Sequence, residues 1–153
     1  MARIKIGDVV EIITSRGLAY TQYTHSHPDY LSLMRVFATF YSTRPENFAE
    51  VVKQPLAFNC FLPLSVCVHR KIFAVVANVP ISAELRDFPL FRTGFPDSVT
   101  RKIHNWTIWD GQSSTRVGAL TADQRKLSLR GIWNDTLLIE RLESGWRPET
   151  DTL

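Results

Sequence analysis

The 153-residue chain has only two cysteines and no internal repeat or low-complexity tract. Cys60 and Cys67 cannot close a four-ligand zinc site by themselves, and nothing points to an oxidising compartment. Both lie in "LAFNCFLPLSVCV" (Leu56 to Val68), where a reduced cysteine behaves as a small hydrophobe and its thiolate is disfavoured. That stretch is the longest apolar one, and Asn59, Pro63 and Ser65 interrupt its 13 residues. Crossing a bilayer takes about 20 apolar residues, so the segment reads as core and no membrane partner is expected. The opening "MARIKIGDVV" lacks the apolar centre of a secretory signal, because Arg3, Lys5 and Asp8 interrupt it, and the expected localisation is cytoplasmic. There is no G-x-S-x-G elbow, no G-x-G-x-x-G and no Walker A run. Nothing makes a positive case for an enzyme, and no cofactor is expected.

What is present fits one globular domain of 44% apolar and 22% charged residues. The net charge of +3 is unevenly spread. Residues 92 to 130 carry Arg92, Arg101, Lys102, Arg116, Arg125, Lys126 and Arg130 against Asp97, Asp110 and Asp123, whereas residues 131 to 153 are net acidic. A basic segment of this kind suits an anionic partner.

Periodicity and punctuation predict an α+β domain. "VVEIIT" (Val9 to Thr14) and "LAYTQYT" (Leu18 to Thr24) flank the turn Ser15-Arg16-Gly17, and "SLMRVFATFY" (Ser32 to Tyr41) reads as a third antiparallel strand. Thr43 and Glu46 have capping-box spacing ahead of Phe48, Val51 and Val52, which predicts a helix that Pro55 ends. "LAFNCFL" and "IFAVVANV" read as strands, whereas "PLSVCVHRK" between them fits a helix or a strand equally. A proline-rich connection from Pro80 leads to a hairpin built on "WTIWDG" and "STRVG". Two late helices are predicted, one starting at Thr121 and one capped by Asn134 or Asp135 and ended by Gly145. The expected architecture is a single domain over 1–153 with a mostly antiparallel, strongly curved sheet, opening like an SH3-type barrel, and two or three helices mainly on one side.

"YTHSHPDY" (Tyr23 to Tyr30) is the stretch richest in chemistry. His25 and His27 are two apart and so share a strand face, and Asp29 could add a carboxylate, which is the pattern of a metal site. Pro28 breaks the strand before Asp29, and no second His or Cys pair supplies the remaining ligands, so a polar loop is the expectation and the metal site the alternative. A small metal-dependent enzyme using His25 and His27 is correspondingly the least favoured function. Glu140 and Glu143 share a helix face, but solvated charge explains them adequately.

Nucleic acid is a second candidate partner. Phe91, Phe95, Trp106 and Trp109 interleave with the basic segment, as in platforms where bases stack on aromatics while Arg and Lys follow the backbone. For a protein partner, the connection from Pro80 to Val99 and the Trp109-Asp110-Gly111 turn are the expected surfaces. Phe88, Phe91, Arg92 and Trp109 are its candidate anchors, because aromatic and arginine side chains carry much of the binding energy at interfaces.

"KIGDVVEIITSRGLAYTQYTH" resembles the opening of the immunity protein 26 family of bacterial polymorphic toxin systems, through Gly7-Asp8-Val9, Ile12, Gly17, Ala19-Tyr20 and Gln22. "FPLFR" followed by "WTIWDG" is similar to that family's later pattern. Thr21 departs from it, standing where a small residue is expected. The resemblance implies an α+β domain that neutralises a protein toxin by binding it. Inhibitors of basic nucleases are commonly acidic, so a chain of sequence pI ≈ 9.1 implies a toxin of another kind, or contact through the acidic C-terminal helix.

Overall fold

The computed structural model describes residues 3–153. Its centre is an antiparallel sheet of five strands, β1 (Asp8–Thr14), β2 (Gly17–His27), β3 (Leu31–Phe37), β4 (Leu56–Leu62) and β5 (Ala74–Asn78), in the order β4-β3-β2-β1-β5. Three helices, α1 (Phe48–Val51), α2 (Leu64–His69) and α3 (Asp135–Ser144), accompany it. A second sheet of four strands, β6 (Phe91–Thr93), β7 (Trp106–Trp109), β8 (Ser114–Gly118) and β9 (Ser128–Leu129), has the order β8-β7-β6-β9, with β6 and β9 parallel. Among the described residues no helix is long and apolar enough to cross a membrane.

The fold is α+β as expected, but neither sheet curls or closes. Closure is blocked at β4, whose free edge is taken by the chain that leaves the second sheet. Ser128 Oγ accepts the Asn59 N–H at 2.8 Å, Trp133 N–H donates to the Phe61 carbonyl at 2.8 Å, and Ile132 bridges to Phe61. At the opposite edge, β5 pairs with β1. The two edges are therefore three strands apart and never meet.

Side-chain alternation gives the central sheet two buried faces. On one, Val10, Ile12, Met34, Val36 and Cys60 pack against Leu64 and Cys67 of α2 and Leu138 and Leu142 of α3. On the other, Val9, Tyr20 and Phe37 meet Val51, Val52 and Leu85, and Leu33 and Phe61 meet Phe91 and Trp109 of the second sheet. The sheet thus lies between a helical layer and a mixed layer that holds α1, the connection from Pro80 and the second sheet.

Local signals explain most element ends. Asn134 Oδ1 accepts the Leu137 N–H at 2.8 Å, and Gly145, at φ 72°, ends α3 in the left-handed conformation. Thr121 and Gln124 form the reciprocal bonds of a capping box, but only the 3-10 turn Gln124–Lys126 follows. The helix predicted from Thr43 does not begin there. Arg44 turns away to clamp Glu11 with both guanidinium arms, at 2.8 and 2.9 Å, and the cap passes to Asn47, leaving α1 one turn long. The same carboxylate accepts the Tyr20 hydroxyl at 2.7 Å, and the Arg44 bonds hold it below the ordinary range despite its burial.

Candidate functional site

Strand β2 runs through His25 to His27 and turns only at Pro28, so the two imidazoles do share a face. What they converge on is the Phe88 ring, whose centroid lies 5.6 Å from His25 and 6.1 Å from His27. Each ring nitrogen is already engaged. Arg35 Nε–H donates to Thr24 Oγ1 at 3.1 Å, which leaves the Thr24 hydroxyl to donate to His25 Nδ1 at 2.8 Å, and His25 Nε2–H donates to the Arg86 carbonyl at 2.8 Å. His27 Nδ1 accepts the backbone N–H groups of Asp29 and Tyr30 at 3.1 and 3.3 Å, which puts its proton on Nε2, 2.8 Å from the Gly111 carbonyl.

Neither ring therefore has a lone pair left for a metal, and the Asp29 side chain points outward from the turn as an exposed group. Among the described residues no three His, Cys, Asp or Glu side chains are grouped closely enough to hold a metal ion. Burial holds the His25 imidazole below its ordinary pKa, and the nearby Arg35 charge adds to the effect. Burial also pushes the Cys60 and Cys67 thiols up, which disfavours the thiolate a nucleophile needs. Glu143 is engaged at the surface with the Ser15 N–H at 2.6 Å.

Three of the side chains expected to anchor a partner, Phe88, Phe91 and Trp109, lie in the joint between the sheets instead. Phe91 has 0% exposure and Trp109 5%, with Phe88 half-buried between them, while Arg92, also at 0%, points to the other face of β6. Phe61 stacks on Phe91 with centroids 5.0 Å apart, and Trp109 packs 5.1 Å from His27 and 5.0 Å from Tyr30. Aromatic pairs of this geometry contribute about 0.5–1.5 kcal/mol each beyond the area they bury. The Asp110-Gly111 turn is part of the same joint. Gly111 has φ 100°, and a Cβ there would lie 2.8 Å from the Phe88 ring.

Arg35 fastens the connection from Pro80 to this joint. Its buried guanidinium donates to Thr24 Oγ1, to Asn59 Oδ1 at 3.3 Å and to the carbonyls of Leu85 and Asp87 at 3.1 and 2.8 Å, and burial lowers its pKa to about 10. A half-satisfied cation here would cost several kcal/mol, so four acceptors converge on it.

The free surface lies where the second sheet extends past the first. Phe91-Trp109-Ser114 and Thr93-Thr107-Arg116 are successive rows on one face of β6, β7 and β8, separated by Arg92-Ile108-Thr115, which alternates to the other face. The first row is covered by the central sheet at Phe91 and Trp109. The second opens into a groove of ≈ 520 Å³ bounded by Phe95, Asp97, His104, Arg116 and Arg130. Arg130 forms the boundary between joint and groove, its Cζ 5.3 Å from the Trp109 ring centroid and 5.6 Å from that of Tyr30.

One wall of the groove is a loop with its own hydrogen bonding. Asp97 Oδ1 accepts the N–H groups of Val99 and Thr100 at 2.8 and 2.9 Å, bonds that hold its carboxyl below the usual range. Asp97 N–H reaches the Lys102 carbonyl at 2.8 Å, and Arg101 N–H reaches the Asp97 carbonyl at 2.9 Å. Buried Ile103 anchors the base. The loop so fixed presents Phe95 at 96% exposure and Val99 at 87%, followed by the exposed Arg101 and Lys102. The connection from Pro80 to Val99 contains this surface at its far end, but the four anchor residues expected there do not mark it. The sequence signal is "GFPDSVTRK", two large apolar residues inside a Gly, Pro, Asp and Ser cluster that has no strand or helix period of its own.

Compared with protein-family models, with curated proteins and with solved structures, the chain matches none of them.

Proposed function

We propose that this protein is a non-enzymatic binding domain that docks an acidic protein surface into the groove beside Phe95. The observation that carries this reading is the exposure of Phe95 and Val99 on a loop that its own hydrogen bonds have already ordered. Large apolar side chains held out in water by a fixed backbone are disfavoured unless a partner covers them, and a pre-ordered loop loses little entropy on binding. Arg116 and Arg130 in the groove, with Arg101 and Lys102 on the loop, set the charge of the partner as acidic. Asp97 is the acid that lines the groove with them, and its carboxylate is committed to the loop's own N–H groups.

The N-terminal resemblance to the immunity protein 26 family supports a more specific form, an inhibitor that neutralises a toxin by covering it. The toxin's contact surface is then acidic, and a tight complex of a strongly basic toxin through residues 92 to 130 would contradict this form. The test is a titration against the protein encoded immediately upstream, at low and at moderate salt. Binding that weakens with salt, and weakens at all salts in Arg116→Glu, supports the proposal, whereas salt-independent binding unaffected by Arg116→Glu refutes it.

Single-stranded nucleic acid fits less well. A stacking platform takes successive bases on several exposed rings. Phe91, Trp106 and Trp109 are all buried, and Phe95 alone of the four faces the groove.

A further inference from the structure

Arg92 is buried at the middle of β6 and lines one cavity with Leu137 and Arg141 of α3. Its Nε donates to the Leu127 carbonyl at 3.1 Å, its Nη2 donates to the Pro148 carbonyl, and its Cζ lies 4.6 Å from the centroid of the Trp106 ring. Nη1 is equally buried and has no hydrogen-bond partner among the described residues. No carboxylate forms an ion pair with this cation among the described residues. A buried guanidinium in this state is costly, because one of its donors is unpaired and the carboxylates of Asp151 and Glu149 act on its charge only from beyond ion-pair distance.

Two further guanidinium groups share the space beside it. A cavity of ≈ 220 Å³ is lined by Arg92, Arg130 and Arg141, with Ile103, Leu129 and Leu137 as its apolar wall. Arg141 lies against Trp133 and Trp146, 4.5 and 4.1 Å from their centroids, and approaches Asp151 only at 3.8 Å. Arg130 is held by Tyr30 and Trp109 in the same way. Packing against ring faces fixes these groups in place while leaving their N–H edges able to donate.

We propose that this cavity takes one oxyanion, a carboxylate or a phosphate group, between Arg92, Arg130 and Arg141. A single negative group there accepts from the buried donor that Arg92 leaves over and from the guanidinium edges of Arg130 and Arg141, and such charge-assisted bonds are stronger than neutral ones. Two sources present this chemistry, a free ion or an acidic side chain of a partner seated in the neighbouring groove, with which the cavity shares Thr93, Gly94 and Arg130. Only the second source rests on the docking role proposed above.

Thermal melting of the whole chain distinguishes them, with inorganic phosphate and hexaglutamate as probes against sodium chloride of equal ionic strength. A saturable rise in Tm on the order of 3–5 °C at ten times the apparent Kd is expected for an occupied site. Leu137→Glu, which sets a carboxylate of its own in the cavity wall, removes the rise, and Arg116→Gln, which touches only the groove, keeps it. If Leu137→Glu does not melt cooperatively, Arg130→Gln serves as the comparison and also removes the rise. A response to phosphate identifies a free-ion site, and a response to hexaglutamate alone identifies a side-chain pocket. No response to either probe, or one that survives both Leu137→Glu and Arg130→Gln, overturns the proposal.

Discussion

The Nε2–H of His27 reaches the Gly111 carbonyl at 2.8 Å and joins the turn that ends β2 to the turn that ends β7. The two residues are 84 apart in sequence, and the bond crosses from one sheet to the other. His27 thereby acts as a bolt between the sheets, with its other nitrogen ordering the Pro28-Asp29-Tyr30 turn from within.

His27→Ala should destabilise the protein by about 1–3 kcal/mol, the range for leaving such groups unpaired together with lost aromatic contact. Urea unfolding followed by fluorescence measures it. A chelator should leave the wild-type midpoint unchanged, because neither His25 nor His27 has a free nitrogen for a metal. A midpoint that falls with chelator would restore the metal reading of His25, His27 and Asp29.

Stability should fall as the solution is acidified through the imidazole range, and His25 should be one cause. Its pKa in the folded state lies below the ordinary 6.5. The unfolded chain therefore takes up the proton first. The contribution of neutral His25 is complete above 6.5 and is lost as pH falls from there through the folded value. His25→Gln should flatten this part of the profile of unfolding midpoint against pH. An unchanged profile would show that His25 does not contribute.

Arg35→Met should cost at least about 3 kcal/mol, since it abandons the carbonyls of Leu85 and Asp87 in the interior and frees the connection from Pro80. Arg35→Lys should recover little, because an ammonium cannot span four acceptors spread around a planar fork. Hydrogen exchange at residues 83 to 90 reads the loosening directly. Protection equal to that of the wild type would contradict it.

Gly111→Ala should destabilise by at least about 1–2 kcal/mol, with φ 100° and the Phe88 ring both opposing a Cβ. Gly131→Ala, where a Cβ would meet nothing within 4 Å, is the control and should be near neutral.

The sequence signals worked where one local rule acted alone. Asn134 and Gly145 bounded α3, and the apolar run of "LAFNCFL" is β4 from Leu56 to Leu62. The Asp110-Gly111 dipeptide lies in the turn between β7 and β8, but that turn spans four residues, 110–113. Asp110 Oδ1 accepts the Gln112 and Ser113 N–H groups there, in place of the two-residue connection the dipeptide signals. The signals failed where a distant group intervened. Thr43 and Glu46 have the spacing of a cap, but Glu11 draws Arg44 out of that segment across 33 residues. His25 and His27 have the spacing of ligands, and carbonyls 61 and 84 residues away claim them. Phe91, Arg92 and Trp109 read as interface residues by type. The second sheet that buries them depends on pairings of β6 with β7 and β9 that no short window of sequence contains.

The most direct test of the binding role is a calorimetric titration of this chain, wild type against Phe95→Asp, with the protein encoded immediately upstream. Phe95 supports no part of the core, so the variant should fold with an unchanged melting temperature and bind about 30-fold or more weakly, the loss expected for an aromatic anchor facing an acidic surface. Equal affinity of the two forms, or no binding by the wild type, would contradict the account.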